Sequence, residues 1–324
     1  MRILRKIRGV KLEFRHKPVL LDECIEGLNI KKDGIYVDGT LGGAGHSEKI
    51  VQNLSKEGML IGIDRDLEAL NAASNRLSKY QNVKYIHGNH DDIKELLQNI
   101  GVEEVDGILL DLGVSSYQLD EKNRGFSYIG DNELDMRMDK TQVLTAKYII
   151  NNYKEEEIAK ILWEYGEEKF SRQIARNICK ERQISPIETT GRLVEIIEKT
   201  IPKKLQKDGH PAKRTFQAIR IEVNNEIEPL YNTIKNSIDC LKDKGRLCVI
   251  TFHSLEDRLV KNAFIDAKGK CTCPGDLPYC VCGNKSLGEI ITKKPIVADE
   301  QELNENSRAK SAKLRIFEKR AMKN

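Results

Sequence analysis

Hydrophobic and polar positions divide the chain into two regimes. Up to about residue 112, short apolar runs alternate with amphipathic stretches. The runs are "GIYVDG", "GMLIGID", "VKYIHG" and "VDGILLDLG", and they close on Asp, Gly or His. Between them, "AGHSEKIVQNLSK" and "LEALNAASNRLSKY" carry apolar residues at helical spacing. Strand–helix alternation of this kind predicts an α/β fold, a parallel sheet covered by helices on both faces. Such sheets bind ligands beyond the carboxyl ends of their strands. Those ends carry Asp38, Asp64, His87 and Asp111.

The strand signal then stops. Residues 117–213 read as a helical insertion, with "TAKYIINNYKEEEIAKILWEYGEEKFSRQIARNICKER" and "TTGRLVEIIEKTIPKK" as its clearest helices. Thr189 or Thr190 is the expected cap of the second. A long helical pattern follows, "TFQAIRIEVNNEIEPLYNTIKNSIDCLKDKG", in which Pro229 either kinks the helix or begins a new one. "GRLCVITFHS" reads as a fifth strand, and "GEIITKKPIV" and "AKLRIFEK" as two edge strands. The division expected is therefore residues 1–116 with 214–324 as one domain and 117–213 as the other.

Composition narrows the class. The 324 residues are 39% hydrophobic and 32% charged, which suits a soluble cytoplasmic protein with a sizeable core. No apolar run approaches the roughly 20 residues of a membrane span, and no apolar run follows the basic N-terminus as in a secretory signal. The net charge of +4 is mild, but "MRILRKIRGVKLEFRHK" is a basic arm that suits phosphate backbones or plain solvation. Cys24, Cys179, Cys240 and Cys248 fall in helix and strand patterns, where reduced thiols are expected. Cys271, Cys273, Cys280 and Cys282 form "CTCPGDLPYCVC". This spacing allows a structural zinc, free thiols or a disulfide.

The turn in "YVDGTLGGAGHS" bears on the cofactor. Gly43 and Gly45 are followed by His46 and Ser47, so the third glycine of a dinucleotide fingerprint is missing. Asp64 stands about 20 residues on, where a carboxylate accepts from ribose hydroxyls. Turn and acid together favour a nucleoside without a pyrophosphate, hence S-adenosylmethionine over a nicotinamide. His90 and Asp91 then fall where an adenine would lie, and Asp111 near the methionine end.

Several longer motifs now align. "HKPVLLDECIEGL", "YVDGTLGGAGHS", "IGIDRD", "DGILLDLGVSSYQLDEKNRGFSY", "LDMRMD", "RTFQAIRIEVNNE" and "ITFHSLEDRLVK" resemble, in order, the bacterial 16S ribosomal RNA (cytosine-N4) methyltransferase family. "NSRAKSAKLRIFEK" adds a match near the end. The resemblance implies a class I S-adenosylmethionine-dependent methyltransferase fold, Rossmann-like, with an all-helical domain inserted after the fourth strand. It implies methylation of a decoding-region cytosine in 16S ribosomal RNA. Cofactor contacts carried over by motif fall on Ala44, Gly45, His46, Asp64, His90, Asp111 and Gln118. At the position of His90 the family often has a bulky aromatic instead.

Amine methylation needs an acceptor for the amine hydrogens, because the cytosine lone pair is delocalised into the ring. Asp111 is the first candidate, with the carbonyls of Leu112 or Gly113 as substitutes. His253 is a second catalytic candidate, equally readable as a structural hydrogen-bonder. Ser254 is expected either to touch the base or to cap a helix holding Glu256 and Asp257, and Arg258 to meet a phosphate. Carbon methylation would need a cysteine nucleophile, and Cys248 lies mid-strand, where it reads as core. Arg172, Arg176, Lys180, Arg182, Lys207, Lys213 and Arg214 offer a basic face for RNA. The competing class is an RNA-binding assembly factor on a vestigial enzyme fold.

Overall fold

The computed structural model describes residues 18–115, 118–119, 121–206, 209–269 and 286–320. The basic arm, Lys207 and the four clustered cysteines lie outside them.

A seven-stranded sheet in the order β3-β2-β1-β4-β5-β7-β6 forms the centre. Its strands are β1 (Ile35–Asp38), β2 (Met59–Asp64), β3 (Val83–His87), β4 (Val105–Asp111), β5 (Leu241–Thr251), β6 (Gly288–Ile290) and β7 (Lys313–Lys319). The first five run parallel, and β7 is antiparallel to both neighbours. The apolar runs are near-continuous because both faces are covered. Leu60, Leu109, Cys248 and Ile250 face α1 (Leu21–Leu28), α2 (Gly45–Gln52) and α3 (Leu67–Arg76). Ile61, Ile63, Ile108, Leu110, Leu247 and Val249 face α4 (Ile93–Asn99) and two later helices.

The strand in "AKLRIFEK" is interior, not an edge. Leu314, Ile316 and Phe317 are buried, and β7 pairs with β5 on one side and β6 on the other. The short β6 closes that side together with a bridge from Ile296 to Leu314.

Helices α5 (Ala146–Asn152), α6 (Glu155–Glu164), α7 (Ser171–Ile184) and α8 (Thr190–Thr200) lie between β4 and β5. Thr189 caps α8 by accepting from the Arg192 amide. These helices bury Ile149, Ile158, Leu162, Ile174, Ile178, Leu193 and Ile197 in a core of their own. That core extends past residue 213, because α9 (Lys213–Asn224) contributes Phe216, Ala218, Ile219 and Val223 to it. Pro229 begins a new helix, α10 (Leu230–Asp239). Helix α11 (Ser254–Lys268) follows β5, and the six-residue α12 (Glu300–Glu305) precedes β7. Among the described residues no helix is long and apolar enough to cross a membrane.

Candidate active site

A pocket of about 370 Å³ opens at the carboxyl ends of β1, β2 and β4, within the usual size range for small-ligand sites. Its floor is the turn after β1. At Gly39 a Cβ would stand 2.5 Å from Leu110 Cδ2, so only glycine lets the chain leave the sheet here. Gly45 is crowded in the same way by Pro18, 2.3 Å from an added Cβ. Gly42, at φ 48°, turns its N–H onto Asp64 Oδ2 at 2.8 Å. Ala44, expected to touch the cofactor, takes the left-handed conformation before α2 but is fully buried behind the pocket lining, its N–H donating to the Leu41 carbonyl and its own carbonyl accepting from the Glu48 amide.

Asp64 ends β2. Its other oxygen accepts from the Asp66 amide at 2.8 Å. Burial nevertheless pushes its carboxyl up to about 6, against those two hydrogen bonds. The cap of α3 is Asp66, which accepts from the Glu68 amide. Asp64 is thus left facing the pocket, with lone pairs to spare.

His90 stands on the turn after β3, on the pocket wall. Burial lowers its pKa, so near neutral pH the ring is an uncharged, flat surface.

Asp111 ends β4, and its amide donates to Thr40 Oγ1 at 2.6 Å. Its Oδ1 is buried with no hydrogen-bond partner among the described residues. Its Oδ2 lies 3.8 Å from His46 Nδ1. His46 Nε2 is 2.9 Å from the Val19 carbonyl, which can only accept. Nε2 therefore carries the proton, and in the neutral ring Nδ1 is an acceptor. In the charged ring it donates toward Asp111 instead. Burial and the Asp38 and Glu256 charges push the Asp111 carboxyl up to about 6, while His46 opposes them. An unpartnered buried carboxylate is costly. A cationic donor such as an amino-acid ammonium would satisfy the free Asp111 oxygen, and the site fits S-adenosylmethionine on that ground.

Gln118 also lines the pocket, but its carboxamide is engaged: Oε1 accepts from the Ser115 amide and Nε2 donates to Asp66 Oδ2. Arg124 completes this support. Its buried guanidinium donates to Asp66 and Glu68, both at 2.9 Å, and to the carbonyls of Arg137 and Met138.

The residues after β5 behave differently from expectation. His253, not Ser254, is the N-cap of α11. Its Nδ1 accepts from the Glu256 amide, and its Nε2 lies 3.0 Å from Glu256 Oε1, so the ring is turned onto its own helix. His253 is not on the pocket wall, whereas Glu256 is. Glu256 is 1% exposed. Burial raises its pKa, but His253, Arg220 and the Phe252 amide outweigh that and hold it below the usual range. Ser254 donates to Glu167, and Arg258 pairs with the same carboxylate, bridging to the helical insertion.

Met138, Asn225 and Glu226 form a wall that the motif reading missed. "VNNE" was visible in the sequence, but it read as the middle of a helix.

The sequence as a whole matches the MraW methylase family model over residues 13–320. Ribosomal RNA small subunit methyltransferase H of Clostridium botulinum (strain 657 / Type Ba4) is 58% identical over 308 residues, covering 95% of this chain and all of that one. The protein of the same name in Lachnospira eligens is 54% identical, covering 96% of this chain and 99% of its own. Among solved structures, a putative rRNA methylase from Clostridium thermocellum aligns at 10% identity, covering 94% of this chain and 98% of that one, with a TM-score of 0.42. With the family model matched along nearly its whole length and more than half its residues shared with such relatives, the chain belongs to the MraW methylase family.

Proposed function

We propose that this protein transfers a methyl group from S-adenosylmethionine to the exocyclic N4 amine of a decoding-region cytosine in 16S ribosomal RNA, in the cytoplasm. The observation that carries the reading is the buried, unpartnered Asp111 oxygen in the pocket that Asp64, His46 and the glycine turn also line. The names of the relatives supply the substrate class.

When bound, S-adenosylmethionine supplies an electrophilic methyl group on a positively charged sulfur. Asp64 would hold the ribose hydroxyls, and the neutral face of His90 the adenine. Asp111 would hold the ammonium, with Gly45 and His46 on the same wall and Ala44 supporting the turn from behind. Gln118 acts through Asp66 and Ser115, keeping the loop after β4 in place. The amine hydrogens would be taken by Asp111 or by the carbonyls of Leu112 and Gly113, which line the same wall. Such acceptors let the nitrogen lone pair localise as it attacks, and in-line placement does the rest. His253 supports this from outside by fixing Glu256 rather than by touching the base. The target base must be unpaired or flipped to reach the pocket.

Asp64→Ala tests the cofactor half. Losing a hydrogen bond to a charged group costs about 1.5–3 kcal/mol, so affinity for S-adenosylmethionine should fall roughly ten- to a hundredfold. Calorimetry showing wild-type affinity in the folded variant would remove Asp64 from the site. The same titration run against pH should show binding weaken as pH drops through about 6, where Asp64 and Asp111 take up protons in the free protein.

The RNA half has its own marker. Trp163, the sole tryptophan, is 61% exposed on α6. It shares a groove with Lys160, Lys169, Arg172 and Arg176, facing Glu155 and Glu156. An aromatic plate among cations suits single-stranded RNA, because base stacking on such a plate is worth about 1–3 kcal/mol. A small-subunit RNA fragment should therefore quench the tryptophan emission, and Trp163→Ala should weaken RNA binding by roughly tenfold. RNA binding that leaves the emission unchanged would take this groove out of the interface.

A structural zinc on Cys271, Cys273, Cys280 and Cys282 stays part of the proposal, tested by metal analysis of protein purified without chelator. Among the described residues there is no group able to hold a metal ion.

A further inference from the structure

The end of α9 carries three consecutive polar side chains, of which Asn225 and Glu226 line the pocket and Asn224 lies behind them, and two of the three are fully committed. The Asn224 carboxamide accepts from the Met138 amide at 2.8 Å and donates to the carbonyls of Met136 and Arg220. Its own carbonyl accepts from Arg65 at 3.1 Å. Glu226 is gripped on both oxygens by Arg220, at 2.9 and 2.8 Å. Asn225, between them, lines the pocket, is exposed, and its carboxamide has no partner among the described residues. Its backbone is left-handed, at φ 48° and ψ 49°. A helix end in that conformation is met as well or better by glycine. What asparagine adds is its side chain, aimed from a backbone clamped on both flanks.

We infer that Asn225 reads the edge of an aminated nucleobase. A carboxamide carries a donor beside an acceptor. The complementary edge is a ring nitrogen beside an exocyclic amine, the pairing by which asparagine recognises adenine in duplexes. Two bases of the proposed reaction present that edge: the target cytosine, through N3 and N4, and the adenine of the cofactor. The inference rests on the function proposed above and adds to it a residue that selects the base. If the base is the cytosine, Oδ1 also accepts from the amine that is methylated.

Asn225→Gly tests it cleanly, because glycine keeps the left-handed turn and removes only the side chain. Thermal melting should be unchanged. Two measurements follow: affinity for S-adenosylmethionine by calorimetry, and single-turnover methylation of small-subunit RNA at saturating cofactor. Reading of the cytosine gives wild-type cofactor affinity and methylation at least about tenfold slower, the effect of roughly 1.4 kcal/mol. Reading of the adenine gives cofactor affinity about tenfold weaker and a rate restored at saturation. Asn225→Asp, which keeps an acceptor but loses the donor, should fail to rescue either. A glycine variant equal to wild type in both measurements overturns the inference. Wild-type protein that neither binds S-adenosylmethionine nor methylates the RNA overturns the proposed function, and this inference with it.

Discussion

Asp111→Ala should lose methyl transfer by about 100-fold or more, the usual scale for removing acid–base help, without losing stability. The two halves of that expectation come from one feature. Asp111 holds a buried oxygen with no partner among the described residues, on the wall of the pocket. In the ligand-free protein this carboxylate is a liability, and its pKa is pushed up to about 6 by burial. A carboxyl whose folded pKa is raised is best tolerated below its ordinary pKa. That advantage is lost as pH rises through the folded value. At pH 7 the ionised group therefore works against the fold, and alanine should melt at the same temperature or higher. Turnover is the opposite case, since the carboxylate is what a bound ammonium or amine would meet. Cofactor affinity should fall with turnover, because the ammonium is the stronger donor. Asp111→Asn keeps the shape and one acceptor and should fall between. A folded alanine variant that methylates at the normal rate would shift the acceptor role to the carbonyls of Leu112 and Gly113.

Arg124→Ala should be among the most destabilising single changes in the chain. Its guanidinium is 4% exposed and serves Asp66, Glu68 and two carbonyls of the segment around Met138. Removing one partner of a buried pair costs about 3–5 kcal/mol, because the other charge stays behind unpaired. Here the stranded charge is Asp66, which also caps α3 and holds Gln118. Denaturant melts should show a midpoint well below wild type, and weaker binding of S-adenosylmethionine should accompany it. Lysine has one point of attachment and should recover only part of the loss. A wild-type midpoint for Arg124→Ala would mean that the network contributes no net stability.

These residues also show where the sequence was legible. Strands β1, β2 and β4 could be read because their runs are apolar on both faces, and the edge strand β3 from its place in the alternation. Asp38, Asp64 and Asp111 mark the places where each run meets the rim. The turn was legible because glycine has few other reasons to stand three times between a strand and a helix. The opposite wall was not. "IRIEVNNE" keeps helical spacing up to the break, and Asn225 enters the left-handed region without a glycine to announce it. Glu256 looked like an exposed helix start, yet Arg220, His253 and the chain's own amides make its burial tolerable. For His253 the sequence allowed a base contact or a structural bond; Nδ1 caps its own helix, while Nε2 is buried beside Glu256 with no hydrogen-bond partner among the described residues. Strand β7 carries charges at both ends, which suggested an edge. Its interior place depends on β6, a strand of three residues with little pattern to read.

The central claim is a chemical one, so the direct test is chemical. Small-subunit RNA from cells lacking this protein, incubated with it and S-adenosylmethionine, should yield N4-methylated cytidine on nucleoside mass spectrometry. The mark should map to one decoding-region position and form at least about 100-fold more slowly with Asp111→Ala. No methylated cytidine, or methylation on carbon or on another base, would contradict the account.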